Sequence, residues 1–544
     1  MKSYSQSTDG VIPAGITTGE YLSRAVKEVG GKAAIIFEDK QITYSELASQ
    51  VDTIAASLLR LGVGYSDRVG ILMPNYPEYI YASQAIMKIG AVKVLLHINF
   101  RELEIKNTLK HSGAKAVFVV SAFGGFSFAE YIHSLREELP DLKYVIVLKG
   151  EALPGMIPYR QIIEDNPNAQ EAVENYVNQQ QVEADDVAAI VYTSGTTGTP
   201  KGILHTHNNI CRLAYASNAR RKVTEDDIWL NMLPLSSAFG LQYGEPCPLI
   251  SKGTLVLTDS FNEVNALELI EKYKVTSPVG VPTQFIRMLK NPRFGEFNVS
   301  SVRNAYLGGA AVPADMMIDI KEKFGCSVVQ TYGTSETGHA TQHYLDDDIE
   351  TICGTSGYPT YGGTEVKIVG ANGKIVDVGQ VGEIYMRHSA TARGYYLDPE
   401  RTKDAFDDWG WVHVGDLGVM DERGYITVIG RLKELIVRGG FNIYPDEIES
   451  LLYTHEKIAQ VSVVGYPDPE LTERSCAFII LKAGCEDVTR EELVAFMEKK
   501  VARYKIPDRV IVVNSFPMTA SGKVQKHKLR ELITGCVQNE SGGA

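Results

Sequence analysis

The apolar run Val187-Ala-Ala-Ile-Val-Tyr192 passes straight into Thr193-Ser-Gly-Thr-Thr-Gly-Thr-Pro-Lys-Gly202, and this junction constrains the chain more than any other stretch. The run has the length and composition of a buried strand. The segment after it is rich in glycine and hydroxyl side chains and ends in one lysine. Glycine lets the backbone N–H groups come close to phosphate oxygens. The hydroxyls add donors and Lys201 adds a mobile positive charge. A strand that ends in such a loop belongs to an α/β fold and binds phosphate. It is not a Walker loop, because Pro200 precedes Lys201 and no Gly-Lys pair in the chain is followed by Ser or Thr.

The remaining pattern agrees with an α/β class. Thr43-Tyr-Ser-Glu46 is a capping box opening a helix whose apolar residues Leu47, Val51, Ile54, Leu58 and Leu61 share one face. Arg68–Met73, Val92–Leu96, Ala116–Val120 and Tyr144–Leu148 read as strands, with helices starting at Pro77 and Glu102 between them. Such alternation gives parallel sheets covered on both faces. Residues 1–18 read as a loose arm. Beyond residue 360, Glu365–Val369 and Lys374–Val378 flank an Asn-Gly turn, and Gly382–Arg387 and Tyr425–Ile429 continue a smaller antiparallel subdomain. The last ~110 residues read as a small α+β domain, with strands at Gln460–Val464, Ala477–Leu481 and Val510–Val513 and a helix at Glu491–Arg503. We therefore expect a large domain over 1–430 and a small mobile one over 431–544.

Composition excludes several classes. A net charge of −13 argues against a nucleic-acid partner, which demands a basic face. Seven cysteines without a CxxC pair suggest neither a disulfide framework nor a zinc site, and fit a reducing compartment. His205 and His207 lack a third ligand at metal spacing and read as polar residues at a helix start. No run reaches the ~18 apolar residues of a membrane span, and no signal-type core opens the chain, so a cytoplasmic location is expected.

Tyr192-Thr-Ser-Gly-Thr-Thr-Gly-Thr-Pro-Lys-Gly202 resembles the phosphate-loop signature of the adenylate-forming superfamily, which includes acyl- and aryl-CoA synthetases, adenylation domains and beetle luciferases. The resemblance spans roughly residues 20–530, with five motifs in family order. It implies that Thr193, Ser194, Gly195, Thr196, Thr197, Gly198 and Lys201 cradle the phosphates of ATP. Gln330-Thr-Tyr-Gly-Thr-Ser-Glu336 resembles the family's YGxTE box. By that resemblance Glu336 holds Mg²⁺, Ser335 contacts the α-phosphate, and Thr331, Tyr332 and Gly333 border the adenine. Leu307-Gly-Gly-Ala310 resembles the opposite wall, through Gly308, Gly309 and Ala310. Trp411-Val-His-Val-Gly-Asp416 resembles GWxxTGD, so that Asp416 and Arg431 bind the ribose. Pro517-Met-Thr-Ala-Ser-Gly-Lys523 resembles PxTxSGK, whose lysine bridges the attacking carboxylate and the α-phosphate. Lys433 stands at the hinge, and Arg438, Gly439, Gly440 and Phe441 form the face presented in the CoA step.

One position departs from the family. Pro234-Leu-Ser-Ser-Ala-Phe-Gly240 carries Ser237 where a histidine is usual, at the acid pocket. The pocket candidates are Ser236, Ser237, Phe239, Gly309, Ala310, Gly333 and Gly338. The resemblance implies an acid–CoA ligase that uses ATP, Mg²⁺ and CoA on a fatty, alicyclic or aryl acid, with a homodimer as the expected assembly. A ligase that loads a carrier-protein pantetheine would share every motif. A nucleotide-binding protein without catalysis would be expected to lack Glu336 or Lys523.

Overall fold

The computed structural model describes all residues except 8, 9, 11, 165, 194–200, 310, 311, 313, 361, 440, 486, 499, 520–522 and 542–544. Among the described residues, two large sheets build the N-terminal domain. One runs Lys201–Thr206, Val187–Thr193, Val92–Leu95, Arg68–Leu72, Ala116–Val120, Tyr144–Leu148 and Ile157–Pro158, parallel except where the first two strands pair. Its central strands are apolar on both faces, and Val117, Phe118 and Val119 are wholly buried, because helices cover both sides. The capping box forms as expected: Thr43 accepts from Glu46 N and Glu46 returns a bond to Thr43 N, starting the helix Tyr44–Arg60.

The second sheet has Ser327–Thr334, Asn304–Leu307, Ser277–Gly280, Ile228–Asn231, Thr254–Leu257 and Ala33–Phe37 in parallel. Antiparallel strands close it at either edge, Gly338–Gln342 being one. Both parallel sheets carry their loops of interest at strand ends, where crevices form in such folds. The five-stranded antiparallel sheet is also present, as expected beyond residue 360.

Several expectations need correction. Residues 1–18 are not a loose arm: Tyr4–Gln6 pairs with Glu365–Val369 at the edge of the antiparallel sheet, with Ser3, Ser5 and Ser7 buried. The Asn372-Gly373 turn forms, but Lys374–Val378 makes only isolated bridges because the N-terminal strand lies alongside it. The segment Val412–Met420, which carries Asp416, is a nine-residue strand. His205 lies on the strand Lys201–Thr206 and is buried, which lowers its pKa to about 4, while His207 does open a helix.

The C-terminal domain is α+β. Ile458–Asp468 and Thr472–Leu481 form a long hairpin, joined by Ile436–Arg438, Phe441–Ile443 and, in parallel, Arg509–Val512. The helix expected to Arg503 ends at Met497, and an uncalled helix, Lys526–Ser541, packs against the hairpin through Leu529 and Ile533. No helix among the described residues is long and apolar enough to cross a membrane.

Candidate active site

Thr193 and Lys201 face one another as the last and first residues of paired strands, so the loop between them is closed at its neck. The residues of that loop from Ser194 to Gly198 lie outside the described residues, as do Ala310 and Gly440. Lys201 is half-buried, with its ammonium 5.5 Å from the centre of the Tyr395 ring. Desolvation lowers its pKa, against the opposing field of Glu336.

Ser335 and Glu336 sit in the turn between Ser327–Thr334 and Gly338–Gln342. Thr334 and Thr337 bond across this turn, and His388 Nε2 lies 2.7 Å from the Thr337 carbonyl. Gly333 is needed here, because a Cβ would fall 1.5 Å from the Gly338 carbonyl oxygen. Gly333 and Gly338 thus abut one another, and the Cβ direction of Gly338 meets Leu213. Tyr395 donates to Glu336 Oε1 at 2.7 Å, and the Ala392 N–H bonds the Glu336 carbonyl at 2.7 Å. One carboxylate oxygen is thereby fixed while the side chain stays partly open, a suitable hard ligand for Mg²⁺ shared with phosphates. Tyr395 escaped the sequence reading, since nothing in its surroundings marks it.

Asp416 and Arg431 are direct cross-strand partners. Asp416 is buried, and its Oδ2 accepts from Tyr332 at 2.6 Å. Its Oδ1 lies 3.2 Å from Arg431 Nε but makes no hydrogen bond among the described residues. A buried carboxylate oxygen left in this way suits a pair of ribose hydroxyls. Burial raises the Asp416 pKa, with Arg431 opposing. Lys523 joins this group from the C-terminal domain, on a hairpin where Thr519 and Lys523 bond each other. Lys523 is exposed, yet enough protein surrounds its ammonium that desolvation, then Arg431, lower its pKa. Asp416, Glu336 and Glu434 act in the other sense. Residues from three motifs far apart in sequence thus share one electrostatic site.

Among the pocket candidates, Phe239 packs beside Gly308. Gly308 is buried where a Cβ would meet Thr331 Cγ2 at 2.7 Å and the Phe239 ring at 3.1 Å, so glycine allows this close approach. Phe239 packs edge to face on Tyr243 and Tyr306, two further aromatic residues that the sequence reading missed. Ser236 is buried. Ser237 Oγ donates to the Pro234 carbonyl at 2.8 Å and accepts from Gly240 N at 2.9 Å, capping the helical turn that follows.

The hinge and CoA-step candidates are less concentrated. Lys433 is exposed in a short 3₁₀ turn, Leu432–Glu434. Arg438 is paired with Asp508 at 2.7 Å inside the C-terminal domain. Gly439 lies at φ +56, and Phe441 is exposed, stacked on Tyr504 at 4.6 Å.

Comparison with known proteins identifies the family. Residues 22–396 match the family model described as AMP-binding enzyme, and 447–523 match the AMP-binding enzyme C-terminal domain. The chain is 34% identical to the medium-chain fatty-acid–CoA ligase of Escherichia coli, covering 94% of this chain and 90% of that one. It is 33% identical to the 3-[(3aS,4S,7aS)-7a-methyl-1,5-dioxo-octahydro-1H-inden-4-yl]propanoyl:CoA ligase of Mycobacterium tuberculosis, covering 94% and 98%. A solved anthranilate CoA ligase, AuaEII in complex with anthranoyl-AMP, superposes with a TM-score of 0.84 at 26% identity, covering 97% and 99%. The chain belongs to the AMP-binding enzymes of the adenylate-forming superfamily, as an acid–thiol ligase that takes ATP, Mg²⁺ and CoA.

Proposed function

We propose that the protein activates an uncharged, apolar carboxylic acid as its acyl-AMP and passes the acyl group to the thiol of CoA. The observation that carries the adenylating step is the position of Lys523, within the fields of Arg431, Asp416 and Glu336. In that step the substrate carboxylate attacks the α-phosphate and pyrophosphate leaves. Lys523 steadies the charge that builds on the α-phosphate oxygens and on the attacking carboxylate. Lys201 and the hydroxyls of the phosphate loop, with Ser335, balance the charge of the phosphates. Mg²⁺ held at Glu336 would supply charge neutralisation on the same oxygens. Asp416 and Arg431 orient the ribose, and Tyr332 keeps the Asp416 carboxylate in place.

In the second step the CoA thiol attacks the acyl carbonyl and AMP departs. We assign this step to a second arrangement, in which the domain after residue 430 turns about Lys433, withdraws Lys523 and presents the face from Arg438 to Phe441. The acyl-AMP intermediate is useful because AMP leaves far more readily than a carboxylate oxygen would.

The substrate reading rests on the pocket. Ser236, Ser237, Phe239, Gly309, Ala310, Gly333 and Gly338 carry no charge, and no aspartate lies at 235–239 to pair an ammonium group. Burying an unpaired ammonium there would cost several kcal/mol. Two relatives and a structural neighbour are named for a medium-chain fatty acid, a fused-ring propanoate and anthranilate, so the shared scaffold admits both chains and rings. Pyrophosphate release across a panel of acids is the test: aliphatic or aromatic acids should be preferred, and faster turnover of any α-amino acid would refute the reading. Free CoA should be acylated in preference to a carrier-protein pantetheine, measured side by side. A homodimer, the expected assembly, is checked by sedimentation of the purified protein.

Ser237→His gives a further check. Histidine cannot reproduce both capping bonds, so a loss of about 1 kcal/mol of stability is expected. The larger ring should also shift preference toward smaller acids with the ATP KM little changed. An unchanged acid profile would remove Ser237 from the pocket.

A further inference from the structure

Lys526 is not among the residues that the motifs single out, yet among the described residues of the C-terminal domain it pairs with three carboxylates. Its ammonium lies 2.9 Å from Glu434 Oε2, 2.9 Å from Glu449 Oε1 and 3.5 Å from Asp446 Oδ1. Its side chain is only 18% exposed. The three carboxylates come from two places: Glu434 directly follows Lys433 in the short turn Leu432–Glu434, whereas Asp446 and Glu449 lie on the helix Pro445–Tyr453. Asp446 in turn approaches Gly430, its Oδ2 lying 3.7 Å from where a Cβ of that glycine would stand.

Lys526 is also joined to the catalytic hairpin. It is the first residue of the helix Lys526–Ser541, three positions after Lys523. Between them the hairpin is fixed by the Met518–Val524 bridge, by Thr519 N donating to the Lys523 carbonyl at 2.7 Å, and by Gln525 N donating to Pro517 O at 2.7 Å. A displacement of Lys526 would therefore be carried to Lys523. Glu434 acts electrostatically on Lys523 as well as pairing with Lys526. The residue that follows the hinge thus pairs with Lys526 and acts electrostatically on Lys523.

We propose that Lys526 is a positioning residue for Lys523, registering the catalytic hairpin against the hinge turn through Glu434. Without its ammonium, three carboxylates face one another with nothing between them, and the hairpin loses its tie to residue 434. The inference rests on the role of Lys523 proposed above.

The test uses the full chain and both half-reactions: acid-dependent pyrophosphate exchange, and thioester formation from pre-formed acyl-AMP and CoA. Lys526→Met should slow exchange roughly 10- to 100-fold, the scale of a misplacement of ~1 Å, and leave thioester formation within about twofold. Lys526→Arg should restore most of the exchange rate. Should Lys526→Met fail to fold, Lys526→Met/Glu449→Gln, which keeps the net charge of the cluster, must show the same split. Equal loss in both halves, or exchange unchanged, overturns the proposal. Lys523→Ala, run in parallel, separates the two readings. If it spares exchange, the role of Lys523 itself is wrong; if it alone slows exchange, only the role of Lys526 is.

Discussion

Lys523→Ala is expected to slow adenylation by at least ~10²–10³, the loss that follows removal of one donor to a developing oxyanion. The same variant, supplied with acyl-AMP and CoA, should form thioester near the normal rate, because the proposed mechanism withdraws Lys523 in that step. Pyrophosphate exchange and thioester release, measured separately, decide the matter, and equal loss in both would rule out alternation of the domain. A pH profile gives an independent readout. Lys523 must be a cation to act, and desolvation and Arg431 lower its pKa. Adenylation should therefore fall on the alkaline side at a lower pH than for an ordinary lysine, and the residual activity of Lys523→Ala should keep only the part of that limb owed to Lys201.

Lys433→Pro should give the opposite pattern. Lys433 is exposed in a three-residue turn between the strand Ile426–Arg431 and the C-terminal sheet. A rigid-body rotation concentrates its change of φ and ψ on such positions. Proline fixes φ near −65° and should hold the arrangement in which Lys523 faces Asp416. We expect exchange to survive and thioester formation to drop by roughly tenfold or more, as for a blocked conformational step. If the variant makes thioester normally, Lys433 is not the pivot.

The α/β class, the approximate boundaries of most of the strands that were named and the antiparallel subdomain were legible, because apolar β-branched runs of strand length carry their own signal, whereas the strands of the second large sheet went unnamed. The N-terminal arm was not. Tyr4-Ser-Gln6 is polar and short, and becomes a strand only because Glu365–Val369 offers an open edge. Asp416 and Arg431 could be named from the resemblance, but their direct cross-strand pairing is a long-range fact. At the site, motif residues could be named singly, but their convergence could not be read from spacing. Their partners were invisible in the sequence. Tyr395 bonds Glu336 across 59 positions, and Tyr306, on the strand Asn304–Leu307, meets Phe239 and Tyr243 only through the tertiary fold.

The strand at Tyr4–Gln6 also sets a timetable. Tyr4 is aligned with Lys367, so the ribosome must add more than three hundred residues before that strand can find its partner. At the usual pace of synthesis the wait is roughly 20–70 s. During that interval the two parallel sheets can assemble from contacts of shorter reach, which favours their earlier formation. The sheet bearing Asp416 and Arg431 closes later, so the nucleotide site would be among the last parts of the molecule to be completed.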